Sequence, residues 1–198
     1  PAGRGRTLQA PPVKILAEKL GIPVIQPEKI RHAQPMAQIR AWNPDLIVVA
    51  AYGQILRQDL LDLPRLGCIN VHGSLLPRWR GAAPIQAALL QGDRVSGASI
   101  MLMDAGIDTG AVLAQQEVPI LPEDTAGSLF PKIAQAGANL LAETLPRYIA
   151  GNIQPVPQDE SQATYARMLR KEDGFLDFQH SAGDLVNRVR AFTPWPGA

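Results

Sequence analysis

Apolar runs with the period of a strand alternate with apolar faces of helical period along this chain, each closed by Gly or Pro, and that order restricts the fold most. Val13 to Leu20 has helical spacing and stops at Gly21, a good helix terminator. A short strand is expected over 21–25, a helix from Pro35 to Trp42, and a strand buried on both faces over 45–52 (DLIVVAAY). A helical turn near 57–63 leads to a strand at 67–72. A helix then starts at Pro84, where a first turn tolerates the missing N–H, and runs to Gln91. Strands are expected at 99–103 and 111–120, a long helix from Asp124 to Ala150 ending at Gly151, and a last helix over 182–192. Alternation of this kind predicts an α/β fold with a doubly wound, mostly parallel sheet and right-handed crossovers.

Such folds open on an apolar strand and helix, and none precedes Val13, so the first βα unit is expected to be missing. The opening PAGRGRTLQAPP is neither headed by Met nor apolar enough for a signal peptide. One domain over 1–198, cut from a longer chain at both ends, is the expectation. With 46% hydrophobic and 19% charged residues, these 198 residues suffice for a globular core. No apolar run is long enough to span a membrane. A single Cys makes no internal disulfide and joins no zinc-like cluster, which fits a reducing, cytoplasmic setting. Residues 1–31 carry a net +4 and the other 167 residues a net −3. A basic, Gly/Pro-rich opening suits either a phosphate-contacting loop or a solvated arm.

Chemistry concentrates in residues 68–81 (CINVHGSLLPRWRG). Asn70 and His72 stand two apart on a strand, so they share a face about 6.5 Å apart, at the C-terminal end where open α/β sheets bind ligands. An amide donor and an imidazole there can converge on one small atom. A strand-end His before Gly also serves as a plain turn residue. Asp108, in the turn 103–110 (MDAGIDTG), is the candidate partner for His72; Asp104 competes, and spacing does not choose. Cys68 lies about 13 Å along the strand from His72, too far for a nucleophile pair, and is read as core. His32 is expected at the surface, and His180 in a local turn before a helix start at Ser181. No glycine-rich phosphate loop is present.

The run from His72 to Gln86 (HGSLLPRWRGAAPIQ) resembles the signature of folate-dependent formyltransferases and their hydrolase relatives, in the version that acts on methionyl-tRNA. Collinear agreement extends to 1–5, 48–56, 104–110, 163–166 and 191–198. The resemblance implies a Rossmann-like core and Asn70, His72 and Asp108 as the catalytic set. It implies Gln54, Ile55 and Leu56 lining a pterin pocket, and Ser74, Leu75, Leu76 and Pro77 bordering the formyl site. It places Arg4 and Arg6 in a loop touching the tRNA acceptor end, with Arg78 and Arg80 facing the same nucleic acid. A family C-terminal β-rich domain that helps hold tRNA is expected to be absent.

The implied reaction moves the formyl group of 10-formyltetrahydrofolate to the α-amino group of methionyl initiator tRNA through a tetrahedral intermediate, with no metal. The expected setting is bacterial-type cytoplasm or an organelle, and the expected state a monomer. Rival readings are formyl transfer to a nucleotide-linked amino sugar, hydrolysis of formyl-folate, and a non-catalytic RNA-binding module.

Overall fold

The computed structural model describes residues 10–198 and divides the chain into two compact units after Trp42. In the first unit, α1 (Pro12–Lys19) carries Pro at its start and ends before Gly21, whose φ of 69° only glycine adopts freely. α2 (Ala33–Trp42) follows. The strand expected at 21–25 does not form: the backbone there is irregular, and Pro23 has no N–H to give a ladder.

The second unit contains β1 (Ile47–Ala50), α3 (Gln58–Leu61), β2 (Cys68–His72), β3 (Arg80–Gly81), α4 (Pro84–Leu90), β4 (Val95–Leu102), β5 (Val112–Pro119), α5 (Ala126–Ile149), β6 (Tyr165–Ala166) and α6 (Ala182–Phe192). The sheet order is β1-β2-β4-β5, and β3 pairs with β6 apart from it. The α/β class is as expected. Among the described strands, β1–β2 and β3–β6 are parallel, and β2–β4 and β4–β5 are antiparallel. β4 and β5 are joined by a short turn, as a hairpin must be.

Register sorts the side chains. Ile69 pairs with Leu102 and Val71 with Ile100, so these four share one face, and α5 covers it with Leu140, Leu141 and Leu145. Gly137 of α5 lets the helix approach: a Cβ there would lie 2.9 Å from Val71 Cγ1. Further along, Ala98, Leu129, Ile133, Leu89 and Phe192 join α4, α5 and α6 in the main core. Asn70 and His72 pair with Met101 and Ser99, and therefore project from the opposite face. β1 was expected to be buried on both sides; instead its burial alternates, and Val48 is 42% exposed.

Helix α5 begins with a capping box of Thr125 and Ser128. Just before it, Asp124 is buried and accepts from Lys132 Nζ at 2.8 and 2.9 Å, Ser128 Oγ at 2.6 Å and Leu121 N at 2.9 Å. Burial pushes its carboxyl up, and those hydrogen bonds more than offset the rise, leaving it below the ordinary value. The stabilisation is then fully present above the unfolded carboxyl value of about 3.9 and fades as pH falls through the lower folded one. Asp124→Ala is expected to cost about 2 kcal/mol, or about 4–8 °C in Tm, at pH 7. Calorimetry should find the gap to wild type closing below about pH 4.

Candidate active site

Three segments meet at the end of β2. Asp108 sits in the β4–β5 turn with φ 53°, a left-handed conformation that Asp tolerates better than most residues. Its Oδ1 accepts from Asn70 Nδ2 at 3.4 Å, and its Oδ2 accepts from the Gly81 backbone N–H at 2.8 Å. Oδ2 also lies 3.5 Å from His72 Nδ1, an ion-pair contact longer than a good hydrogen bond. His72 Nε2 stands 2.8 Å from the Trp79 carbonyl. A carbonyl only accepts, so Nε2 carries a proton and donates. Nδ1 then faces the Asp108 carboxylate. The result is a desolvated pair: the His72 side chain is 6% exposed and that of Asp108 16%.

The choice between the two carboxylates is resolved by position. Asp104 is exposed and satisfies its own turn, accepting from Gly106 N at 3.0 Å and Thr109 Oγ1 at 2.6 Å. Asp108 alone of the two reaches Asn70 and His72. Cys68 is buried, with its thiol pushed up to about 11 by burial and by Asp62, an inert core residue as expected. His32 and His180 are both exposed, and Ser181 caps α6 by accepting from Asp184 N.

The 74–77 loop folds back on the sheet. Ser99 Oγ donates to the Ser74 carbonyl at 2.6 Å and accepts from Leu76 N at 3.0 Å, while Gln115 Nε2 donates to the Leu76 carbonyl at 2.9 Å. Ser74 Oγ donates to the Arg78 carbonyl at 2.6 Å. Ser74 and Leu76 are thus buried scaffold, with Leu75 and Pro77 half-buried beside them. Gln54, Ile55 and Leu56 follow β1, which runs parallel to β2, so they emerge at the sheet end that carries His72. Leu56 is in the core, Gln54 is half-buried, and Ile55 is 89% exposed.

The arginines divide. Arg4 and Arg6 lie outside the described residues. Arg78 stacks 4.4 Å over Trp79 and makes a two-pronged bond to Asp93 at 2.9 and 2.6 Å, and Asp93 also accepts from Trp79 Nε1. Arg80 was expected to face nucleic acid; its side chain is 0% exposed. Its guanidinium donates to Gln158 Oε1 at 3.0 and 2.8 Å and to Glu160 at 2.9 and 2.7 Å. A buried guanidinium needs such partners, and 78 and 80 residues of chain separate it from them. Gly81, Trp79 and Gln158, which contribute backbone or amide groups to the site, escape a search for ionisable side chains. Among the described residues no three His, Cys, Asp or Glu side chains are grouped as a metal ion requires, and no helix is long and apolar enough to cross a membrane.

Comparison with known proteins identifies the family. The formyl transferase family model matches residues 1–145, and that of the formyl transferase C-terminal domain matches residues 168–198. The methionyl-tRNA formyltransferase of Myxococcus xanthus is 52% identical over 198 residues, and that of Halorhodospira halophila 54%. Each match covers all of this chain and 64% of the relative, so the chain spans a little under two thirds of their length. Among solved structures, a sugar N-formyltransferase from a Shewanella species superposes with a TM-score of 0.75 at 27% identity, covering 92% of this chain and 71% of that one. HypX from Aquifex aeolicus, in complex with tetrahydrofolic acid, shares the fold with a TM-score of 0.71 at 20% identity, over 82% of this chain and 28% of that one. Because the family match takes in the β2 strand, the 74–77 loop and the Asp108 turn together, the chain belongs to the formyl transferase family.

Proposed function

We propose that this chain carries the site that transfers the formyl group of 10-formyltetrahydrofolate to the α-amino group of methionyl initiator tRNA. The observation that carries the reading is the convergence of Asn70, His72 and Asp108 in a chain 52–54% identical to methionyl-tRNA formyltransferases. The exposed Ile55 offers an apolar face to the pterin ring, with Gln54 beside it and Leu56 anchoring the segment in the core. Ser74 to Pro77 form the wall next to the formyl group. Arg4 and Arg6 remain the candidates for the tRNA acceptor end. Arg78 is already engaged by Asp93, and Arg80 is buried. Residues 1–198 then act as the catalytic part, and the bacterial relatives suit a cytoplasmic setting.

The neutral amine attacks the formyl carbon, and charge collects on the formyl oxygen. Asn70 has two amide protons: one goes to Asp108, and the second is free for that oxygen. His72, oriented by the Trp79 carbonyl and facing Asp108 through Nδ1, assists at that oxygen when protonated. Asp108 fixes both donors and accepts the amine proton, directly or through water. Collapse breaks the bond to the folate N10, which takes up one proton, so the proton count is unchanged.

A second reading has one observation behind it: the likeness to a sugar N-formyltransferase, which acts on an amino sugar. Formyl-labelled 10-formyltetrahydrofolate, offered with methionyl initiator tRNA, with a nucleotide-linked amino sugar and with water alone, decides. Label on methionyl-tRNA is the expected result. Label on the sugar, or release as formate, would keep the site and overturn the acceptor.

A further inference from the structure

Asp108 adopts its left-handed conformation in a turn that Asp104 braces from within, accepting from Gly106 N and Thr109 Oγ1, and the Asp108 carbonyl has a further partner outside the turn. That partner comes from fifty residues downstream. Gln158 Nε2 donates to the Asp108 carbonyl at 2.8 Å and to the Gly110 carbonyl at 2.7 Å, using both amide protons on the two carbonyls that bracket Thr109. Its Oε1 accepts from Arg80 Nε and Nη2. That double acceptance settles which end of the amide points where, since a guanidinium only donates. Arg80 is in turn fixed by Glu160, by Tyr165 Oη at 3.3 Å and by its own N–H to the Thr164 carbonyl at 2.9 Å. Hydrogen bonding to Arg80 holds the Glu160 carboxyl below its ordinary value, so it stays charged.

The residue after Arg80 closes the circuit, because the Gly81 N–H donates to Asp108 Oδ2. Asp108 is therefore gripped at both ends, main chain by Gln158 and carboxylate by Gly81, and both grips run through Arg80–Gly81. We propose that Gln158, oriented by the buried Arg80, is a positioning residue that sets the Asp108 turn and so the distance from its carboxylate to His72. This rests on the reading that Asp108 and His72 are the reacting pair. The titratable and charged groups around that pair are His72 and Asp108 themselves and, behind Gln158, Arg80 and Glu160.

Gln158→Glu tests it with little change of shape. The variant keeps an acceptor for Arg80 but turns a carboxylate oxygen toward two carbonyls, releasing the turn. In the full chain, kcat for formyl transfer should fall about 10- to 100-fold, while KM for donor and acceptor stays within about threefold. The pH profile of kcat and the imidazole nitrogen titration of His72, followed by NMR on labelled protein, should both move. Gln158→Met, which has no donors, should behave alike. If those variants do not fold, Arg80→Lys replaces them: it keeps the charge, loses the fork that orients Gln158, and should shift the same titration. Folded variants with lower Tm but unaltered kcat, pH profile and His72 titration would overturn the proposal and leave a purely structural clamp. Should the wild-type chain fail to formylate methionyl-tRNA, the reading of function falls. The His72 titration needs no substrate and still decides the role of Gln158.

Discussion

His72→Ala is expected to lower kcat about 1,000-fold and Asn70→Ala about 100-fold or more, with binding of the formyl-folate retained in both. Asn70 contributes an amide donor whose second proton has no other assigned partner, so its loss removes one donor from the charged oxygen of the transition state and one from Asp108. His72 contributes more, because it sits between a carbonyl that fixes its ring and the Asp108 carboxylate. Truncating it leaves the part-buried Asp108 without that neighbour. The two effects share Asp108, so Asn70→Ala combined with His72→Ala should cost little more than His72→Ala alone. The exposed histidines are the controls: His32→Ala and His180→Ala should keep wild-type rates. Single-turnover formylation with saturating donor, together with equilibrium binding of the folate, makes the measurement. Near-normal rates in both site variants would remove this site from consideration.

The strands and helices of the second unit were legible because each carries a period and a stop. α6 was located to the residue by Ser181 and by its apolar spacing, and β2 by the run up to Gly73. Its two-residue spacing also placed Asn70 and His72 on one face. What spacing could not give was the pairing of strands. β4 runs antiparallel to β2, against the general preference of α/β folds for parallel crossovers, and no local period records that direction. The strand expected at 21–25 failed because two prolines in five residues on either side outweigh Val24 and Ile25.

Within the site, the ambiguity between Asp104 and Asp108 was real at the level of spacing, since both sit in one glycine-containing turn. Only the fold shows Asp104 consumed by Thr109 and Gly106 and Asp108 turned inward. Arg80 was misread for a related reason. In the sequence it is one of two arginines flanking Trp79 in a Pro/Gly-rich loop, which reads as a basic surface. Its acceptors lie in a stretch with no periodicity, 78 to 85 residues away. Buried polar networks of this kind write no local pattern, because every partner is supplied by a different segment.

The same junction makes Gly81→Ala the substitution with the largest expected effect outside the catalytic set. Gly81 has φ 105°, a region that residues with a Cβ rarely enter. A Cβ there would lie 2.6 Å from the Ala166 carbonyl oxygen. That oxygen cannot retreat freely, because it also accepts from Ala82 N at 2.8 Å. The β3–β6 pairing must therefore open, and the Gly81 N–H that it orients must leave Asp108 Oδ2. The expected loss is about 3 kcal/mol of stability, or about 6–12 °C in Tm, from strain together with broken pairing. Activity should fall further than stability explains: about 100-fold in kcat at a temperature where the variant is still folded, since the carboxylate loses its backbone donor. Gly151→Ala separates the two causes. Gly151 also has a positive φ, of 74°, but nothing within 4 Å of its Cβ position. It should lose about 1–2 kcal/mol from backbone strain alone and keep its kcat. If Gly81→Ala merely matched Gly151→Ala in Tm and in rate, the close approach of β3 to β6 would have no hold on Asp108.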